Sequence, residues 1–171
     1  MIQAFIRQTF RLLLLLAVQV MVLNHVHIFG YATPLICVYF ILLMPLGAPR
    51  WTKLLWAFAT GVLFDMFANT PGMMAATLTL VAMIQPHMLT LIGGVDKDDD
   101  DDENTPPTMA RLGKFPFMRY ITVGVLIQCI VFYLLETFSF FSITDTLINI
   151  VGSTVLSTFI IWVIQSIREK L

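Results

Sequence analysis

Charge is what this chain has least of. Only 12 % of its 171 residues are Asp, Glu, Lys or Arg, about half the share found in soluble domains. Hydrophobic residues make up 58 %, and the mean hydropathy is +0.84. A chain so composed cannot clothe itself in polar side chains, which excludes an ordinary water-soluble domain and makes lipid its solvent. Cysteine is scarce too. Cys37 and Cys129 both lie inside apolar runs, so a disulfide framework is excluded and buried free thiols are expected. There is no HExxH, no GxSxG and no Gly-rich phosphate loop, and His25, His27 and His87 do not approach metal-ligand spacing. The expectation is a protein that is not an enzyme and uses no metal or cofactor. No internal repeat is present either, so the inverted-repeat signature of many secondary transporters is missing.

What is present is a succession of apolar stretches. A bilayer core of about 30 Å takes about 20 residues of helix, and six stretches come close: residues 5–23, 31–46, 52–68, 72–92, 120–138 and 147–167. Arg7 and Arg11 followed by the apolar run from Leu12 to Val18 look like the start of a signal peptide, but no small-x-small cleavage site follows, and an uncleaved helix is expected. The second stretch is short and bracketed by Pro34 and Pro45, which suits a tilted or re-entrant segment whose backbone is covered by protein. The expected fold is an all-α integral membrane protein, residues 1–171 forming one polytopic domain.

Charge placement gives the orientation. With the N-terminus in the cytoplasm, the inner segments carry Arg7 and Arg11, then Arg50 and Lys53, then Lys97, Arg111, Lys114 and Arg119, and last Arg168 and Lys170. These are all 10 Lys and Arg of the chain, as the positive-inside rule requires when both termini are cytoplasmic. Trp51, Tyr120 and Trp162 near inner boundaries and Tyr31 near an outer one are expected as interfacial anchors. Segment 93–114 is the long connection. It holds seven of the 11 acidic residues, in a run between Asp96 and Glu103 that is followed by Pro106 and Pro107. Such a run repels itself and stays solvated, so a disordered cytoplasmic spacer is expected.

Asp65 is the one ionisable group well inside a predicted span. It stands twelve residues beyond Lys53, about 18 Å further along a helix, and an acid at that depth is a functional candidate by default. One reading is a protonatable or ligand-binding acid in an outer pocket. The other is a hydrogen-bonded acid fixing the turn between the third and fourth spans. Asn69, Thr70, Pro71 and Gly72 read as a tight turn with Thr70 as N-cap and Pro71 opening the helix, and a helix start offers donors to a carboxylate. On the second reading Asp65→Asn is tolerated and Asp65→Leu weakens assembly. Small residues line the neighbouring faces: Ala57 and Gly61 on the third span, and Gly72, Ala75, Ala76, Thr79 and Ala82 on the fourth. Close helix packing in lipid uses such stripes. The last span carries a polar ridge of Asp145, Asn149, Ser153 and Ser157 at steps of four.

The segment from Gly61 through Asp65, Asn69, Pro71 and Gly72 to Ala75 resembles the signature of the rod shape-determining protein MreD family: G-x-x-x-D in the third helix, a short polar turn, then a glycine opening a small-residue helix. Chain length and helix count are similar over nearly the whole sequence. The stretch from His27 to Pro34 and that from Glu136 to Phe140 resemble Bacteroidota members. The resemblance implies a multi-pass subunit of the bacterial inner membrane, part of the Rod or elongasome complex. It would pair with the periplasmic scaffold MreC and work with MreB, RodA and its transpeptidase to organise lateral peptidoglycan synthesis and cell shape. It also implies a fold like the substrate-binding subunits of energy-coupling-factor transporters. Carried onto this chain, Gly61, Asp65 and Gly72 are the motif positions, and with Asn69, Pro71, Ala75 and Ala76 they form the helix turn and the surface that a partner helix would meet. The long acidic run departs from typical members.

A vitamin-binding transporter subunit has the same size, helix count and orientation and stays open as an alternative. That group often docks its coupling subunit through A-x-x-x-A on the first helix. Here Ala4 is followed by Gln8 and Ala17 by Met21, and the outer loops are short for a ligand pocket. A carrier of peptidoglycan precursors would need a large cationic cavity, which the absence of outer or mid-membrane Lys and Arg disfavours.

Overall fold

Apolar runs punctuated by Pro and Gly set the helices. A computed structural model describes residues 36–44, 47–68, 70, 72–93, 106–136 and 143–170. Within them the chain is helical and forms no strand: α1 Cys37–Leu42, α2 Arg50–Ala68, α3 Met73–Gly93, α4 Met109–Leu112, α5 Lys114–Glu136 and α6 Ile143–Lys170. The expected first span, Tyr31 and the acidic run 96–103 lie outside the described residues. So do both ends of the expected second span, of which α1 is the described part.

Local chemistry accounts for the helix starts. The Pro49 carbonyl accepts the N–H groups of Thr52 at 3.0 Å and Lys53 at 3.2 Å, which opens α2. Gly113 takes φ +84° before α5, and Pro116 sits in the first turn of that helix, where its missing N–H is not needed. Both α5 and α6 begin ahead of the apolar stretches at 120 and 147. Hydropathy marks the passage through hydrocarbon, whereas the hydrogen-bonded backbone continues to the interface, where Lys114 and Arg119 reach water.

Among the described residues, three helices are long and apolar enough to cross a membrane: Met73–Ile92, Lys114–Glu136 and Thr146–Ile167. α2 is nearly as long but carries Lys53 and Asp65 within it. α2 packs on α3, α3 on α5 and α5 on α6. Arg50 of α2 and His87 of α3 line one cavity, Ile92 of α3 and Arg119 of α5 a second, and Met118 of α5 and Trp162 of α6 a third. Successive helices therefore run antiparallel, and Arg50, Lys53, Lys114 and Arg119 gather at one end.

Every residue of α1 is buried. The helix wedges between α2, α3 and α5. The carbonyls of Leu42, at its end, and of Met44, just beyond, are past the helical ladder, and in lipid no water replaces a partner. Side chains do so instead: Tyr120 Oη donates to the Leu42 carbonyl at 2.9 Å, and Gln85 Nε2 to that of Met44 at 2.9 Å. Tyr39 Oη donates to Gln165 Oε1 of α6. Tyr120 is thus not the interfacial anchor expected of it; a buried tyrosine needs a partner for its hydroxyl, and the end of α1 supplies one. Trp51 and Trp162 are exposed, in keeping with anchors, and both cysteines are buried free thiols.

Gly124 of α5 lets α1 approach: a methyl group there would come within 2.7 and 2.8 Å of the Leu42 side-chain tips. Those tips can rotate. Gly124→Ala is therefore expected to cost only about 1 kcal/mol, the low end for overpacking, as a small fall in the thermal midpoint in detergent.

Phe64, Leu78, Phe117 and Ile161 are among the buried core, whereas other large apolar side chains face outward, among them Leu55, Phe58, Met66 and Phe67 of α2 and Val151, Val155 and Phe159 of α6. In lipid that exposure carries no penalty. Of the polar ridge of α6, Ser153 and Ser157 turn inward and are buried, and Ser153 Oγ shares a 2.6 Å hydrogen bond with Tyr133 Oη of α5.

Candidate functional site

The turn between α2 and α3 holds the Gly61 and Asp65 pair. A spacing of four puts both on one face of α2, and that face meets the first turn of α3. Asp65 is buried, at 7 % exposure. Its Oδ1 accepts the Met74 N–H at 3.0 Å and the Thr70 hydroxyl at 2.8 Å, while Oδ2 accepts the Ala75 N–H at 3.0 Å.

The geometry explains why an acid is needed there. The first helical hydrogen bond of α3 runs from the Ala76 N–H to the Gly72 carbonyl at 3.0 Å, so Gly72 occupies the N-cap. Glycine has no side chain to satisfy the next donors, and Asp65 reaches across from α2 to take both. The Met73 N–H goes to the Thr70 carbonyl at 3.4 Å. Thr70 is therefore not the N-cap that the turn sequence suggests. The helix begins later because Gly72 takes φ +78°, and the Thr70 hydroxyl serves Asp65 instead. The positive end of the helix dipole adds to the stabilisation of the carboxylate. Each carboxylate oxygen is engaged by protein donors, so the arrangement holds this acid in place.

Gly61 sets the distance over which Asp65 can reach. A Cβ at Gly61 would run into Ala75 Cα and lie 2.6 Å from Ala75 N and 2.9 Å from the Met74 carbonyl carbon. The two backbones touch at this point. The small-residue stripe of α3 divides about the contact: Ala75 and Ala82 are buried, whereas Gly72 and Ala76 are exposed. Asn69 and Pro71 lie outside the described residues. At Gly72 a side chain would meet nothing within 4 Å, so backbone conformation alone is tested there. Gly72→Ala is expected to lower stability by about 1–2 kcal/mol. Gly72→Asn should recover part of the loss in the same melting experiment, since Asn tolerates the left-handed region better.

Sequence reasoning passed over the buried glutamines Gln85, Gln128 and Gln165 and did not place Lys53 among buried groups. The available signal was a long polar side chain interrupting an apolar run. Gln128 of α5 lies beside the Asp65 turn, its Nε2 donating to Met74 Sδ at 3.4 Å. Its Oε1 has no hydrogen-bond partner among the described residues. Lys53, read as an inner-boundary charge, is 2 % exposed and donates to Gln85 Oε1 at 3.3 Å. Among the described residues no group of His, Cys, Asp or Glu could hold a metal. Comparison with known proteins finds no matching family model, no matching curated protein and no matching solved structure.

Proposed function

We propose that the chain is a non-enzymatic scaffold subunit of the bacterial inner membrane, with six membrane-crossing helices and both termini in the cytoplasm. On this reading it acts in the Rod complex as an MreD-like partner of an MreC-like periplasmic protein, alongside MreB, RodA and its transpeptidase. The observation that carries the proposal is the Asp65 clamp. The resemblance rests on Gly61, Asp65 and Gly72, and each has a distinct physical task at one helix turn: contact, capping and positive φ. A hairpin clamped in this way suits a packing surface. Ala76 and Met66, both exposed beside it, are where a partner's transmembrane helix would lie. The gathering of Arg50, Lys53, Lys114 and Arg119 at one end of the bundle supports the orientation.

The test is affinity purification of the tagged protein from detergent-solubilised native membranes, with co-purifying proteins identified by mass spectrometry. A single-pass periplasmic coiled-coil protein recovered with cell-wall synthases is the expected result. Recovery of paired ATPases with a coupling membrane subunit would overturn it in favour of a vitamin transporter.

A further inference from the structure

At the basic end of the bundle, a cavity of about 150 Å³ opens between α2 and α3, lined among others by Arg50, Lys53, Ala82, Met83, Pro86 and His87. We propose that it is a binding site for the headgroup of an anionic phospholipid from the leaflet at that end.

Its lining brings together the ammonium of Lys53, the guanidinium of Arg50 and the imidazole of His87, with no carboxylate among the lining residues. Arg50 and Lys53 are three apart at the start of α2 and project on one face. The positive dipole end of that 19-residue helix lies at the same residues. Lys53 is held in place by Gln85, which is itself fixed to the Met44 carbonyl, so the buried cation of this wall is preorganised. The opposite wall supplies an acceptor. Pro86 lies inside α3 and has no N–H to give the Ala82 carbonyl one turn earlier. A cavity with two cations and an acceptor carbonyl fits a phosphodiester carrying a free hydroxyl, as in phosphatidylglycerol.

The apolar surroundings select a lipid over free phosphate. Met83, on the rim, is 66 % exposed, and Trp51, next to Arg50, is 69 % exposed. Both sit where acyl chains and the interface meet a protein that crosses the membrane. The site does not depend on the scaffold assignment.

The experiment is native mass spectrometry of the full chain released from nanodiscs of mixed phosphatidylglycerol and phosphatidylcholine. The expected result is one retained phosphatidylglycerol per chain. Arg50→Gln, at an exposed position where folding is not at risk, should lower that retention about tenfold. Lys53→Gln should abolish it if the variant folds. Arg119→Gln, a basic residue at the same end that does not line the cavity, should leave retention unchanged. Equal losses in the Arg50 and Arg119 variants would overturn the proposal, because a general surface charge would then explain the lipid. Retention of phosphatidylcholine to the same extent would overturn it as well. Displacement of the lipid by millimolar inorganic phosphate would transfer the site to a soluble anion and overturn the lipid assignment.

Discussion

Asp65→Leu is expected to lower the stability of the purified protein by about 2–6 kcal/mol, since two buried backbone donors lose their only acceptor and each unsatisfied group costs about 1–3 kcal/mol. The donors are the N–H groups of Met74 and Ala75. Leucine fills the space but accepts nothing, and in lipid no water takes the place of the carboxylate. Asp65→Asn separates geometry from charge. Its amide oxygen can keep the Met74 and Thr70 bonds, but its NH2 then faces the Ala75 N–H, donor against donor. Asn is therefore not fully tolerated, as the turn sequence alone had suggested; about half of the leucine effect should appear. A denaturant or thermal series in detergent on wild type, Asn and Leu checks the order. Equal losses for Asn and Leu would mean that the charge itself carries the stabilisation, and the geometry of the clamp would not be the whole account.

Gly61→Ala should rank next, at the upper end of the roughly 1–3 kcal/mol typical of overpacking, and beyond it if the hairpin splays. Helix propensity acts the other way, favouring Ala over Gly by about 1 kcal/mol. A net loss would therefore show that the interhelical contact outweighs the local preference. The colliding atoms at Ala75 are Cα and N, which no side-chain change removes. Ala75→Gly is thus expected not to rescue Gly61→Ala. Gly124→Ala, which meets only movable leucine tips, should be far milder. Rescue by Ala75→Gly, or equal effects at Gly61 and Gly124, would contradict the backbone contact. Displacement of α3 by even a few tenths of an ångström also lengthens the Asp65 hydrogen bonds, so the Gly61 and Asp65 variants should be less than additive in a double-mutant cycle.

The helical class and the Asp65 turn were legible because they follow from local rules. Hydropathy over about 20 residues finds a crossing helix, and a lone buried acid near a helix start has few places to find donors. The N-cap was misread at Thr70 because composition cannot reveal that Gly72 adopts positive φ and delays the helix. The same limit applies to Tyr120. An aromatic residue near a span boundary looks like an interfacial anchor, and only the tertiary position of α1 shows that it caps a buried carbonyl. Lys53 read only as an inner-boundary charge because sequence does not say which face of α2 meets Gln85. What depended on contacts between segments far apart in the chain could not be read from spacing.

The short buried helix α1 has a consequence for how the protein is made. Its carbonyl at Met44 waits for Gln85, 41 residues downstream, and that at Leu42 waits for Tyr120, 78 residues downstream. The hydroxyl of Tyr39 waits for Gln165, 126 residues on. As the ribosome delivers the chain from its N-terminus, this segment reaches the insertion machinery before any of those partners has been synthesised. It cannot settle in hydrocarbon alone, and its final seating must follow the arrival of α3, α5 and α6. Chains cut short before α5 should consequently be poor at leaving the translocon and early targets for membrane quality-control proteases.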